Sequence, residues 1–332
     1  MKKIVRNAML LMAFILMSAI PAQSAEKLAV VRVGVMAGEN DSFIPPLGEE
    51  LGIFKKYGLE VKSQVFSAGI NTIDALTLGQ LDFGMAADFA ILNRIGGVKK
   101  SDLRIYTKLS LSLAGNPFSW QVYVNDESVK SPSDLSGKSI AIRKGTVEEY
   151  WTARLIEVAK IGPNSVKLVP IGSPQEGVVA VKSKQVTGMW AAGQATIELR
   201  GIQGINTIAD LKTINAQTVT VLLSTEKFLR ENKETVVKYI KAMDEIVNFI
   251  LTEPEKTAEI VQKRLNIPAE QVLVNLQRNE LSINFTQDTI DTLDNINKWG
   301  RESGFIKNNF NARDYVDVDA LKEAFPDRVS YK

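Results

Sequence analysis

The sequence predicts an α/β protein of two similar lobes, and three observations carry that prediction. One phrase occurs twice. Ala75-Leu-Thr-Leu-Gly-Gln-Leu-Asp-Phe-Gly-Met-Ala-Ala-Asp88 aligns without a gap on Ala180-Val-Lys-Ser-Lys-Gln-Val-Thr-Gly-Met-Trp-Ala-Ala-Gly193, matching Ala75 to Ala180, Gln80 to Gln185 and Ala86-Ala87 to Ala191-Ala192. Each copy closes a run of alternating strand-like and helix-like segments, the pattern of a mainly parallel sheet with right-handed crossovers. Finally, residues 105–124, interrupted by Ala114-Gly-Asn-Pro117, and the Val/Leu-rich residues 218–224 read as passages between lobes. Two passages make the second lobe an insert in the first, and a cleft between lobes is a preferred place for a small ligand.

In order, Leu28 to Val35 alternates around Val31, Val33 and Val35 and reads as a strand. Pro45 and Pro46 suit the first turn of a helix carrying Leu47, Leu51 and Phe54, which Gly58 stops before a second strand, Leu59 to Phe66. A helix from Asn71 to Gly79 and a short strand from Leu81 to Met85 follow. The second lobe repeats the order: strand Ser139 to Ile142, cap Lys144-Gly-Thr146, helix Val147 to Ala159, strand Val166 to Pro170, a helix capped by Ser173-Pro174 through Ser183, and strand Val186 to Ala192. From Glu226 onward the periodicity is helical, with Val236, Tyr239, Ile240, Met243 and Val247 on one stripe, and this part is expected to buttress the first lobe. The expected boundaries are 25–115 with 222–332 for the first lobe and 116–221 for the inserted one.

Residues 1–24 read as an export signal: Lys2, Lys3 and Arg6 precede an apolar run from Ala8 to Ile20, and Ala22-Gln23-Ser24 offers a small-residue cleavage site. That run is too short for a membrane span, which needs roughly 20 residues. Removing those three cations from 40 basic residues leaves 37 against 38 acidic ones, a net charge of −1. A balance so close to neutral argues against nucleic-acid binding. The chain has no cysteine and no histidine, which excludes disulfides, thiolate nucleophiles, Ser-His triads and Cys- or His-based zinc sites. It also excludes the acylated cysteine of an anchored lipoprotein. The expectation is therefore a cleaved, unanchored periplasmic monomer that is not an enzyme and takes no metal or cofactor.

Ligands in such sheets sit beyond the carboxyl ends of strands, where helix starts point their N–H groups outward. The candidates there are Asn40, Asp41 and Phe43 after the first strand, Ser67, Gly69 and Asn71 after the second, and Ala87 and Asp88 after the repeat. In the inserted lobe they are Gly145, Thr146, Tyr150, Ser173 and Trp190. Gly69 and Gly145 allow close backbone approach, and the hydroxyls of Ser67, Thr146 and Ser173 suit the oxygens of a sulfonate or carboxylate, although the same residues also cap helices. Aromatic faces at Phe43, Tyr150 and Trp190, with Trp120 and Trp151 nearby, suit a flat or aliphatic ligand. Glu39, Asp41, Asp88, Glu148 and Glu149, partly offset by Arg143 and Lys144, make the expected cleft acidic. An acidic cleft disfavours a bare inorganic anion and suits a ligand with an amine or ring N–H.

With these residues in place, the chain resembles the solute-binding proteins of ABC importers in the nitrate/sulfonate/taurine group, which includes pyrimidine-precursor binders. The resemblance runs from the first strand to about Ala195. It rests on Glu50-Leu-Gly-Ile-Phe-Lys-Lys-Tyr-Gly-Leu-Glu-Val61, on Ala75-Leu-Thr-Leu-Gly-Gln-Leu-Asp-Phe-Gly84 and, less specifically, on Asp134-Leu-Ser-Gly-Lys-Ser-Ile-Ala-Ile142. It implies a type II periplasmic-binding fold, a ligand trapped as two lobes close about two hinge crossings, and delivery to an ABC permease and ATPase complex. A sulfonate or taurine-like solute is the first expectation, an aromatic or heterocyclic one the second. A ligand-sensing partner of a membrane receptor uses the same cleft. Enzymes of the same fold rely on histidine or cysteine, which this chain lacks.

Overall fold

The structure is a computed structural model that describes residues 27–331, so the expected export signal lies outside the described residues. The first lobe opens with β1 (Ala29–Met36), a 3-10 turn at 40–43, α1 (Ile44–Glu50), α2 (Ile53–Lys56), β2 (Leu59–Phe66), α3 (Gly69–Thr77), β3 (Gly84–Ala87), α4 (Asp88–Gly96) and β4 (Leu103–Ser112). The chain then builds β5 (Gln121–Val124), β6 (Ser139–Ile142), α5 (Val147–Ala159), β7 (Lys167–Pro170), α6 (Pro174–Lys182), β8 (Gly188–Ala191), α7 (Gln194–Arg200) and β9 (Asn206–Asp210). It returns as β10 (Val219–Thr225) and continues through α8 (Glu226–Glu231), α9 (Lys233–Thr252), α10 (Pro254–Leu265), α11 (Ala269–Gln277), β11 (Asn279–Thr286), α12 (Gln287–Glu302), α13 (Asp319–Ala324) and β12 (Val329–Ser330).

One five-stranded sheet has the order β12-β11-β4-β10-β3, with the parallel pair β1-β2 joined beside it by a bridge from Val33 to Phe83. The other has the order β7-β6-β8-β5-β9. The chain leaves the first sheet between Ser112 and Gln121 and re-enters it between Asp210 and Val219. This is the two-lobed arrangement with two hinge crossings that the sequence predicts.

The sheets are mixed rather than mainly parallel. Within the strand-helix-strand units pairing is parallel, as in β1-β2, β6-β7 and β6-β8. The crossing strands arrive from the opposite direction, so β10 pairs antiparallel with β3 and β4, and β5 antiparallel with β8 and β9. Two other expectations change. Gly52, at φ +67°, turns the chain and divides the single expected helix into α1 and α2. The C-terminal part also contributes β11, whose Leu281, Ile283 and Phe285 alternate into the core beside β4. It touches both lobes: α11 packs on α7 of the insert, and Trp299 of α12 meets Tyr150 of α5.

The doubled phrase keeps its register in three dimensions. Gln80 N–H donates to the Ala75 carbonyl at 2.9 Å, and Gln185 N–H donates to the Ala180 carbonyl at 2.9 Å. The residue before each glutamine is left-handed: Gly79 at φ +69° and Lys184 at φ +59°. Each copy is thus a helix stop with a six-to-one closing bond, followed by a strand that meets a crossing strand.

Candidate functional site

Three helix starts converge between the lobes. Ala68, Gly69 and Ile70 open α3, Ala87 and Ala90 flank the start of α4, and Thr146 and Val147 open α5 from the opposite lobe. All follow strands, so their free N–H groups and positive dipole ends face a common space. Glycine is required at two of these turns. A Cβ at Gly69 would lie 2.9 Å from the Ala86 Cα, and one at Gly145, itself at φ +77°, would lie 2.7 Å from the Ile70 Cδ1 across the cleft. The enclosed cavity holds about 50 Å³ of open space, room for a few waters. A larger groove of about 530 Å³ lies at the far end of the inserted sheet beside Asn125, Asp126 and Lys184. Its lining comes from the insert alone, so lobe closure encloses nothing there.

The rest of the cavity wall combines aromatic faces and an arginine with Glu39 and the polar side chains of Ser112, Thr218, Thr220 and Asn279. Trp120 and Trp151 line it, with ring centroids 4.9 Å apart, and Trp190 stands behind Trp151 at 5.4 Å. Trp151 Nε1 donates to the Thr218 hydroxyl of the second crossing at 3.0 Å, which ties the insert to the hinge. Arg143 lines the cavity 5.8 Å from the Trp120 ring centroid, and Arg278 lies 5.9 Å from it. Burial works against the Arg143 charge, but the Glu148 carboxylate, accepting at 2.8 Å from Nε and 2.5 Å from Nη2, outweighs it and raises the Arg143 pKa.

The acidic cleft expected from sequence is corrected by these pairings. Of the five acids, Glu39 is the one that lines the cavity, and Arg278 engages it. Glu148 is committed to Arg143, and Glu149 accepts the Gly145 N–H at 3.0 Å. Asp41 and Asp88 are buried behind the wall. Desolvation pushes Asp41 up to about 8 despite the Met36 N–H it accepts at 2.7 Å, and Asp88 up to about 7 despite the N–H groups of Val219 and Phe89.

Among the remaining candidates, Gly69, Ala87 and Thr146 line the cavity. Thr146 also caps α5, accepting the Glu148 N–H while its hydroxyl donates to the Arg143 carbonyl at 2.6 Å. Ser67 and Asn71 are exposed and bonded to each other, and Ser173 caps α6. Phe43 is wholly buried in the first lobe's core, and Asn40 is buried with neither amide atom bonded. Tyr150 stacks on Phe89 at 5.5 Å, and Trp190 donates from Nε1 to the Thr152 hydroxyl, so both support the wall from behind. Trp120, Trp151, Arg143 and Glu39, which the sequence places near the cleft without assigning them ligand contacts, line the cavity, as do Thr218, Thr220 and Asn279, which it does not single out as contacts. For Trp120, Arg143 and Thr218 the signal was position beside a crossing or a strand end. Asn279 carried none, because the strand it opens was read as helix.

Two α/β lobes, a double crossing and a cleft lined from both sides define the class: a two-lobed protein with the periplasmic-binding fold. The chain belongs to the NMT1/THI5-like family, whose model matches residues 46–257. A protein of Brucella abortus (strain 2308) named as a binding protein is 27% identical over 240 residues, covering 71% of this chain and 72% of that one. One of Brachyspira hyodysenteriae, named as an ABC transporter periplasmic binding protein, is 24% identical over 213 residues, 62% of this chain and 61% of that one. Among solved structures, the periplasmic aliphatic sulphonate binding protein SsuA of Escherichia coli is similar with a TM-score of 0.71, 16% identity and coverage of 86% of this chain and 96% of that one. The same fold carries the desulfurization enzyme DSZB, with a TM-score of 0.66, 13% identity and coverage of 90% and 99%.

Proposed function

We propose that this protein is the periplasmic solute-binding component of an ABC importer, a monomer that traps a small organic anion between its lobes and presents it to a permease and ATPase. One observation carries the reading: the starts of α3, α4 and α5, drawn from both lobes, converge with Arg143 on a single cavity walled by Trp120 and Trp151. Helix starts suit an anionic group, and indole faces suit an aliphatic or flat body. A sulfonate-bearing solute is therefore the first choice and an aromatic or heterocyclic acid the second. The pairing of Glu39 and Glu148 with arginines removes the argument for a ligand amine. In this reading the lobes divide in the connections 113–120 and 211–218, the leader 1–24 is cleaved, and closure is a hinge motion driven by contacts both lobes make to one ligand.

Binding without turnover is the favoured activity because the chain has neither Cys nor His and its Brucella and Brachyspira relatives are named as binding proteins. A thermal-shift screen of sulfonates, aromatic acids and aminopyrimidines, followed by calorimetry and product analysis, tests it. A ligand at about 100 times its dissociation constant stabilises by roughly 2.7 kcal/mol, well within reach of the method. A compound that is consumed in the assay would overturn the receptor reading.

A further inference from the structure

Buried polar side-chain atoms nearly always find a partner, and a cluster of exceptions needs a cause. Among the described residues thirteen such atoms have none, and seven of them belong to Asn40, Ser119, Gln194, Thr196, Arg278 and Asn279. Contacts between their segments join them in one junction. Gly193 N–H donates to the Phe118 carbonyl at 2.9 Å, and a Cβ on Gly193 would lie 2.1 Å from the Asn275 Oδ1 and 3.5 Å from the Arg278 Nη1. Asn116 Nδ2 donates to the Gln277 carbonyl at 3.0 Å, and Arg278 pairs with Glu39, next to Asn40. Glu39, Trp120 and Asn279 carry this junction into the wall of the cleft cavity.

Resting on the binding reading above, we infer that the junction is a second pole of the same site, reading an uncharged hydroxyl or carboxamide on the ligand. The chemistry follows from the unmet groups. Arg278 Nε and Asn40 Nδ2 donate, Asn40 Oδ1, Gln194 Oε1 and Asn279 Oδ1 accept, and the Ser119 and Thr196 hydroxyls do either. A group that both donates and accepts answers them. A second charge does not, because Glu39 already neutralises Arg278. The ligand is then an organic anion with its acid group at the helix starts and a neutral polar group at the Arg278 end.

The test compares linear alkanesulfonates and carboxylates with their ω-hydroxy and ω-carboxamide counterparts by calorimetry, on the wild type and on Ser119→Ala and Thr196→Val. The expected result is that the best-fitting ω-substituted probe binds about tenfold tighter than its unsubstituted match, the worth of one or two good hydrogen bonds. Each variant should cut that advantage to about threefold or less while the ligand-free melting temperature stays level or rises, because a buried hydroxyl without a partner costs stability. Equal binding of substituted and unsubstituted probes overturns the second pole and leaves the anion-binding reading standing. A ligand-free melting temperature that drops by several degrees in both variants also overturns it, since the hydroxyls would then be satisfied within the fold. Failure of every probe, substituted or not, removes the binding reading and this inference with it.

Discussion

Asp88 heads α4 with its two carboxylate oxygens divided between elements: Oδ1 accepts the Phe89 N–H at 2.7 Å and Oδ2 accepts the Val219 N–H, the first of the returning strand, at 2.8 Å. Burial pushes it up to about 7, and Asp41, one wall away, up to about 8. An unfolded aspartate titrates near 3.9, so between roughly pH 4 and 7 the native state holds a proton the unfolded state has released. Stability from this source is full below pH 4 and is lost as pH rises through the folded value. The urea midpoint of wild type should therefore fall relative to that of Asp88→Asn as pH rises from 4 to 8, because the variant lacks this loss; a constant difference at every pH would refute the account. Thr146→Ala should cost about 1 kcal/mol through its cap and, if the hydroxyl serves only the cap, should leave affinity for a sulfonate probe within about twofold. A loss of tenfold or more in calorimetry would make it a ligand contact. Sequence identified Thr146 as both cap and candidate because a Thr before a helix has a fixed geometry. It could not say that Trp190 stands one ring behind Trp151, since depth in a wall depends on how two lobes meet.

At the scale of elements, the repeat was legible because a helix stop is local chemistry. The Gln80 and Gln185 closures need only a left-handed residue one place earlier, and Gly79 meets that need without strain whereas Lys184 does not. Lys184→Gly should stabilise the protein by about 0.5–1 kcal/mol and Gly79→Ala should destabilise it by a similar amount, both measurable as shifts in urea midpoint. If the two changes move stability in the same direction, the two stops are not equivalent. The strand β11 was missed for the opposite reason: Leu281, Ile283 and Phe285 alternate plainly, but they follow a helical region that set the period being read. Parallel pairing within each unit was also legible, while the antiparallel entry of β5 and β10 depends on where the chain comes from, which no local pattern records.

At the scale of the molecule, the insert meets the C-terminal part at the polar junction around Arg278 and again at an aromatic clasp. Tyr150 of the insert stacks on Phe89 at 5.5 Å and meets Trp299 edge-on at 4.8 Å, while Trp299 also stacks on Phe305 at 5.4 Å. Trp299 Nε1 then reaches across to the Glu157 carboxylate of α5 at 3.0 Å. If the insert rotates about residues 113–120 and 211–218 as proposed, a rotation that parts Tyr150 from Trp299 is opposed by this clasp independently of ligand. An aromatic pair of this kind is worth about 0.5–1.5 kcal/mol beyond its buried area. Apparent affinity scales with the fraction of molecules in the binding-competent state, so Trp299→Ala should weaken binding of any ligand about 3- to 10-fold if closure precedes tight binding. Small-angle scattering of the ligand-free variant should show a larger radius of gyration than wild type, and saturating ligand should restore it. Unchanged scattering and affinity alongside a lower melting temperature would reduce Trp299 to core packing, and the energy that closes the lobes would then have to come from the ligand alone.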